Sequence, residues 1–221
     1  MKSVRENVAQ IEQKIGGKAT LIAVTKTKPV PLLLEAYDAG CRDFGENRVQ
    51  EMAEKQPQLP AGIRWHQIGH LQTNKVKYIA PFVALIHSVD SLSLLTEINK
   101  QAAKHGRVID CLLQIFIAEE ETKFGLSPDE ARVLIQRQEL EALANVRLIG
   151  LMGLATNTDN EAQVRQEFRG LKQLYDELSL IKRANVAFSQ LSMGMSGDYE
   201  LAIAEGSTMV RVGSAIFGSR L

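Results

Sequence analysis

Apolar residues along this chain alternate between short continuous runs and longer stretches spaced three and four apart. Ser3-x-x-Glu6 is a capping-box signature, and Val4, Val8, Ile11 and Ile15 predict an opening amphipathic helix. Leu21–Lys26, a run bounded by Lys18 and by Thr27-Lys28-Pro29, predicts the first strand. Pro31–Gly40 reads as a helix closed by glycine. Arg42–Gly45 is a very short second strand, with a helix through Val49, Met52 and Ala53. Arg64–Ile68 and Val83–His87 are the third and fourth strands, followed by helices Thr73–Ile79 and Ser91–His105. The rhythm continues with a fifth strand, Val108–Ile117, and a helix opened by Ser127-Pro128-Asp129-Glu130. Val146–Leu151 is the sixth strand, and Thr158-x-x-Glu161 predicts the cap of a long helix carrying Val164, Phe168, Leu171, Leu174, Leu178 and Ile181. Val186–Gln190, a helix over Gly197–Ala204 and Thr208–Val212 complete the series.

Eight strand signals alternating with helix signals, most strands continuously apolar, predict a parallel sheet covered on both faces. The count of eight favours closure into one α/β domain over residues 1–221, a (β/α)8 TIM barrel with an extra N-terminal helix. The short second and fourth runs are the weak points of the count, and an open doubly wound sheet is the alternative. No G-x-G-x-x-G follows the first strand, so its dinucleotide-binding version lacks support.

Composition narrows the partners. Twenty-six basic against 26 acidic residues leave no net charge, which argues against nucleic acid or an anionic membrane and for a small ligand. Cys41 and Cys111 are far apart with no C-x-x-C, the usage of a reducing compartment. His66, His70, His87 and His105 form no recognisable metal-ligand set. The polar start Met1-Lys2-Ser3-Val4-Arg5-Glu6 lacks a signal-peptide core, and no apolar run approaches the roughly 20 residues that span a bilayer. The expectation is a cytoplasmic protein.

The candidate chemistry starts at Lys26. A lysine at the tip of a buried strand is desolvated, which lowers its pKa, and a neutral amine attacks carbonyls to form Schiff bases. The alternative for Lys26, as for Lys28, is an amine that snorkels off the rim. In a TIM barrel the chemistry lies at the strand ends, with phosphate at the loops after strands seven and eight. The first of these, Ser192-Met193-Gly194-Met195-Ser196-Gly197, offers hydroxyls and backbone N–H groups to an anion; the alternative is that Ser196 merely caps the next helix. The second, Arg211-Val212-Gly213-Ser214, places Arg211 toward the mouth and lets the backbone approach a ligand at Gly213. Arg211 as a structural ion-pair partner is the competing reading. A lysine opposite a phosphate cup describes a phosphorylated aldehyde, for which pyridoxal 5′-phosphate (PLP) is the natural candidate.

The chain resembles the PLP homeostasis proteins, whose fold is related to the barrel domain of alanine racemase. The resemblance is carried by Ala23-Val24-Thr25-Lys26-Thr27-Lys28, Phe44-Gly45-Glu46-Asn47-Arg48-Val49-Gln50-Glu51 and Trp65-His66-Gln67-Ile68-Gly69-His70-Leu71-Gln72. It continues through His87-Ser88-Val89-Asp90-Ser91, Gly150-Leu151-Met152-Gly153-Leu154-Ala155, the 192–198 loop and residues 211–218. The resemblance implies a covalent PLP aldimine at Lys26, with Ser192, Ser196, Gly197 and Gly213 on the phosphate. It implies Arg211 at the pyridine nitrogen and Asn47 and Met152 against the ring. It further implies a monomer without the racemase β-domain, which holds, buffers or delivers PLP, with PLP-dependent apo-enzymes as possible partners.

Turnover is not expected to be substantial. A permanently cationic arginine disfavours ring-nitrogen protonation and weakens the electron sink. Of the four tyrosines, Tyr37, Tyr78 and Tyr175 read as helix residues away from the mouth, and Tyr199 follows the phosphate loop. His66 and His87 are the remaining acid/base candidates, with core or hydrogen-bonded roles favoured. A racemase-like PLP enzyme and a cofactor-free Schiff-base aldolase stay open as alternatives.

Overall fold

The computed structural model describes residues 3–118 and 124–218; the start Met1-Lys2 and the ends of the 1–221 domain lie outside them. Eight parallel strands close into a barrel in chain order. They are β1 (Thr20–Val24), β2 (Asp43–Glu46), β3 (Arg64–Gln67), β4 (Leu85–Val89), β5 (Ile109–Ile115), β6 (Val146–Gly153), β7 (Val186–Ser192) and β8 (Met209–Val212). Around them lie α1 (Val4–Ile15), α2 (Val30–Asp38), α3 (Val49–Lys55), α4 (Val76–Ile79) and α5 (Leu92–Lys104). The second half adds α6 (Pro128–Gln136), α7 (Glu161–Ser179), α8 (Tyr199–Ala204) and α9 (Ser214–Phe217).

Strand alternation sorts the core into two shells. Leu21, Ala23 and Phe44 face outward into one large cluster with the helices, including α1's Val4, Val8, Ile11 and Ile15. Ile22, Leu85, Leu112, Met152 and Met209 face inward and plug the barrel, each side chain contributing about 1.5–3 kcal/mol by leaving water. Ser3 and Ser127 both make complete capping boxes, with Glu6 and Glu130.

Several boundaries differ from the apolar pattern, each for a local reason. The Val83 N–H bonds back to Ile79, closing the preceding turn, so β4 starts two residues later than its apolar run. The 73–79 segment is a 3₁₀ turn, Thr73–Lys75, followed by α4. Asn160, not Thr158, caps α7; its side chain accepts from the Gln163 N–H while Thr158 accepts from the Asn160 N–H. The helix expected from Gly197 starts at Tyr199, because the Asp198 and Tyr199 N–H groups both turn back to the Met195 carbonyl. Among the described residues no helix is long and apolar enough to cross a membrane.

Candidate functional site

The C-terminal ends of the strands open into a cavity of about 420 Å³, whose lining includes Lys26, Asn47, Ser196, Gly197, Arg211 and Gly213. β1 stops at Val24, and the Thr25 N–H extends the ladder one step to the Gly45 carbonyl. Lys26 and Thr27 then form a turn. Thr27 has φ +62°, a left-handed conformation rare for a β-branched residue. Such strain costs on the order of 1–3 kcal/mol and persists only where neighbours enforce it. Here Glu51 accepts the Thr27 N–H, and Lys55 bonds Glu51, Glu46 and the Thr25 carbonyl at 2.6, 2.7 and 2.8 Å. The Thr25 hydroxyl also donates to Glu46, at 2.6 Å. Burial pushes the Glu46 carboxyl up, against the opposing pull of Lys55 and Thr25. Residues on both sides of Lys26 are thus clamped from behind. Sequence reasoning missed this clamp, although Glu51 and Lys55 stand four apart on a helix and pair as such positions do.

Across the mouth, the Gly213 and Ala215 N–H groups converge on Ser196 Oγ at 3.1 and 3.4 Å. Ser196 therefore does not cap α8, whose capping position is Asp198. Gly194 makes the loop possible: its φ is +95°, and a β-carbon there would stand 2.6 Å from that of Ala202. Its carbonyl accepts the Arg211 N–H at 3.0 Å, tying the loop to β8. Asn47 is set by Gln67, whose side-chain amide donates to the Asn47 and Gly69 carbonyls at 3.0 Å.

Arg211 faces the barrel interior at 3% exposure. Its Nη2 donates to the Gly153 carbonyl at 2.9 Å and its Nη1 to Ser192 Oγ, so its hydrogen bonds go to neutral oxygens. Burial lowers its pKa to about 10, which leaves it cationic at neutral pH. Ser192 and Met152 are completely buried and stand off the cavity lining. Ser192 sits between Arg211 and His87, and Met152 in the barrel plug. Among the described residues, the ionisable side chains on the lining are Lys26, Lys28 and Arg211. Tyr199 is buried in α8, Tyr37 stacks under Arg42, Tyr175 packs on Phe188 and Tyr78 is exposed. His66 and His87 lie hydrogen-bonded to each other in the interior. The arrangement therefore offers an amine nucleophile, a pair of amides aimed at one oxygen, and a buried guanidinium.

Comparison with known proteins fits that inventory. The family model "Alanine racemase, N-terminal domain" matches residues 1–221. A pyridoxal phosphate homeostasis protein of Aquifex aeolicus is 45% identical over 203 residues, covering 91% of this chain and 87% of the relative. PipY of Synechococcus elongatus, 35% identical, superimposes with a TM-score of 0.91 without PLP and 0.88 with PLP bound, over 98% of this chain and all of PipY. With the barrel and the lysine-and-amide mouth in place, these matches show that the chain belongs to the pyridoxal phosphate homeostasis proteins, within the alanine racemase N-terminal domain family.

Proposed function

We propose that this chain binds PLP in the barrel-mouth cavity, linked covalently through the Lys26 amine, and holds, buffers or delivers it without substantial turnover. The observation that carries the proposal is the convergence of the Gly213 and Ala215 amides on one oxygen across the cavity that Lys26 lines. Because both amides donate to Ser196 Oγ, its own hydroxyl proton is left to donate to an anion oxygen in the cavity. A β-carbon on Gly213 would press to 3.2 Å on Val24, which would have to give by a few tenths of an ångström. Gly197 beside it has open space.

In this reading Ser196, Gly197 and Gly213 hold the phosphate, and Asn47 sits beside the ring. Ser192 and Met152 support from beneath, Ser192 through Arg211. Bound PLP supplies an electron sink whose strength depends on protonation of its ring nitrogen. Arg211, a donor-only cation, keeps a proton off any acceptor it faces. A carbanion next to it would be poorly stabilised, and among the described residues the lining's ionisable groups other than Lys26 are Lys28 and Arg211, with no carboxyl, histidine or tyrosine to serve a two-base exchange. A regulator of vitamin B6 and amino-acid balance fits this chemistry better than a racemase. A one-domain monomer in the cytoplasm, with PLP-dependent apo-enzymes as recipients, completes the proposal.

Freshly purified protein should be yellow, and borohydride should fix the mass of the cofactor on the peptide carrying Lys26. Lys26→Ala should keep the fold and lose the visible band; a full band in that variant overturns the linkage. Chiral chromatography after incubation with L-alanine and other amino acids tests turnover. Conversion at on the order of 1–10³ s⁻¹ would promote the racemase reading.

A further inference from the structure

A string of hydrogen bonds crosses the barrel interior beneath the cavity. It begins where Arg211 Nη1 donates to Ser192 Oγ. Ser192 Oγ lies 3.0 Å from His87 Nδ1, His87 Nε2 lies 2.9 Å from His66 Nδ1, and His66 Nε2 lies 3.0 Å from Asp43 Oδ1. Arg64 closes the far end, donating from Nε and Nη2 to the Asp43 carboxylate. All but Arg64 are buried.

With neutral imidazoles, the Asp43 end fixes the direction of every bond in the string. A guanidinium has donors only, and an ionised carboxylate has acceptors only. Burial pushes the Asp43 carboxyl up, but the hydrogen bonds from His66 and Arg64 outweigh it and hold the group below the usual carboxylate range. His66 then donates from Nε2 to Asp43, and with both imidazoles neutral its Nδ1 accepts from His87 Nε2. His87 Nδ1 in turn accepts from the Ser192 hydroxyl, which itself accepts from Arg211. In this ordering each imidazole carries its proton at Nε2. The opposite polarity would put the proton on His66 Nδ1, and His66 would need a second proton to keep its bond to Asp43. The buried Arg211 cation has Asp198 as its charge partner and hydrogen-bonds to two neutral oxygens, one of which, Ser192 Oγ, is the end of the string.

We propose that His87, His66 and Asp43 are positioning residues for Arg211, whose guanidinium they hold in one orientation at the cavity floor by locking the Ser192 hydroxyl. The effect on cofactor retention rests on the PLP reading above; the ordering of the string does not.

Nitrogen NMR on protein labelled in histidine and arginine, recorded without PLP, tests the ordering. His66 and His87 should each carry a proton at Nε2 alone at neutral pH. Arg211 should give separate Nη signals, since Ser192 and the Gly153 carbonyl hold its two sides. Asp43→Asn keeps the shape and removes the acceptor-only end. In that variant His87 should populate the Nδ1–H form, and Arg211 should rotate roughly three- to tenfold faster, the equivalent of one neutral hydrogen bond. PLP retention should fall by a similar factor, with a changed absorption band. His87→Leu, which has neither donor nor acceptor, should also lose the Arg211 splitting and serves if Asp43→Asn does not fold. An imidazolium at His66 in the wild type, or unchanged tautomers and Arg211 rotation in Asp43→Asn, overturns the proposal. Wild-type protein that takes up no PLP would sink the cofactor reading while the NMR still decides the ordering.

Discussion

Ser192 and Ser196 stand four residues apart with the same hydroxyl, and the barrel gives them different work. Ser196 Oγ gathers two backbone amides at the cavity, whereas Ser192 Oγ lies beneath it between Arg211 and His87. Ser196→Ala should therefore weaken PLP retention by about ten- to a hundredfold, the loss of one hydrogen bond to a charged group. Equilibrium dialysis measures this, and pyridoxal lacking the phosphate should bind the wild type and the variant equally poorly. Equal retention of PLP by both proteins would remove Ser196 from the phosphate site. His87 carries a second expectation. Complete burial, with the nearby Arg211 cation adding to it, holds this imidazole well below the ordinary histidine pKa. The unfolded chain thus binds a proton below about pH 6.5 that the native state refuses. A depressed folded pKa means stability that is present above pH 6.5 and lost as pH falls below it. Between pH 7.5 and 5.5 the loss from this one group is about 1 kcal/mol. Denaturant midpoints should show it as a steeper decline in the wild type than in His87→Leu, and parallel declines would refute the assignment.

At the scale of elements, eight strands and their helices were legible because most runs are short, apolar and bounded by turn residues. The two loops at the cavity mouth were legible from glycine and serine beside a strand end. The interior string was not. Asp43, His66, His87 and Ser192 come from β2, β3, β4 and β7, and only barrel register brings them together. His66 and His87 read from the sequence as core or hydrogen-bonded residues, but strands of four and five residues give no sign of which partners they meet. The αL turn at Thr27 was equally hidden, since nothing in Thr-Lys-Thr-Lys announces a positive φ. Gly194 illustrates the reverse case, a turn glycine whose reason the structure supplies. Gly194→Ala should destabilise the fold by about 1–3 kcal/mol through strain and the clash with Ala202. Thermal unfolding measures it, and a variant as stable as the wild type would mean that the loop tolerates another path.

The molecule as a whole depends on where the barrel closes. β7 and β8 share a single register pair, Ser192 with Met209, while β5 and β6 share seven. Both loops of the proposed phosphate site spring from this thin seam. Side chains reinforce it where the ladder is short. The Thr208 hydroxyl accepts the Leu191 N–H at 2.8 Å. Ser207 Oγ, buried at 3% exposure, lies 2.8 Å from the Met193 and Met209 carbonyls and accepts the Met193 N–H at 3.4 Å. One hydroxyl thus bridges the two strands and anchors the residue after Ser192. Ser207→Ala would take this donor from the Met193 carbonyl, while the Met193 N–H keeps its 3.2 Å bond to the Met209 carbonyl; leaving one buried carbonyl short of a partner costs about 1–3 kcal/mol. The expected result is a lower unfolding free energy together with faster amide exchange at Met193 and along 207–212. Exchange along β5 and β6 should change only as far as global stability does, because opening the seam does not require opening the opposite wall. PLP retention should drop with it, since the loop bearing Ser196 and the strand bearing Arg211 lose their common brace. Hydrogen exchange followed by mass spectrometry resolves the two regions, and uniform acceleration around the barrel would show that the seam is no weaker than the rest.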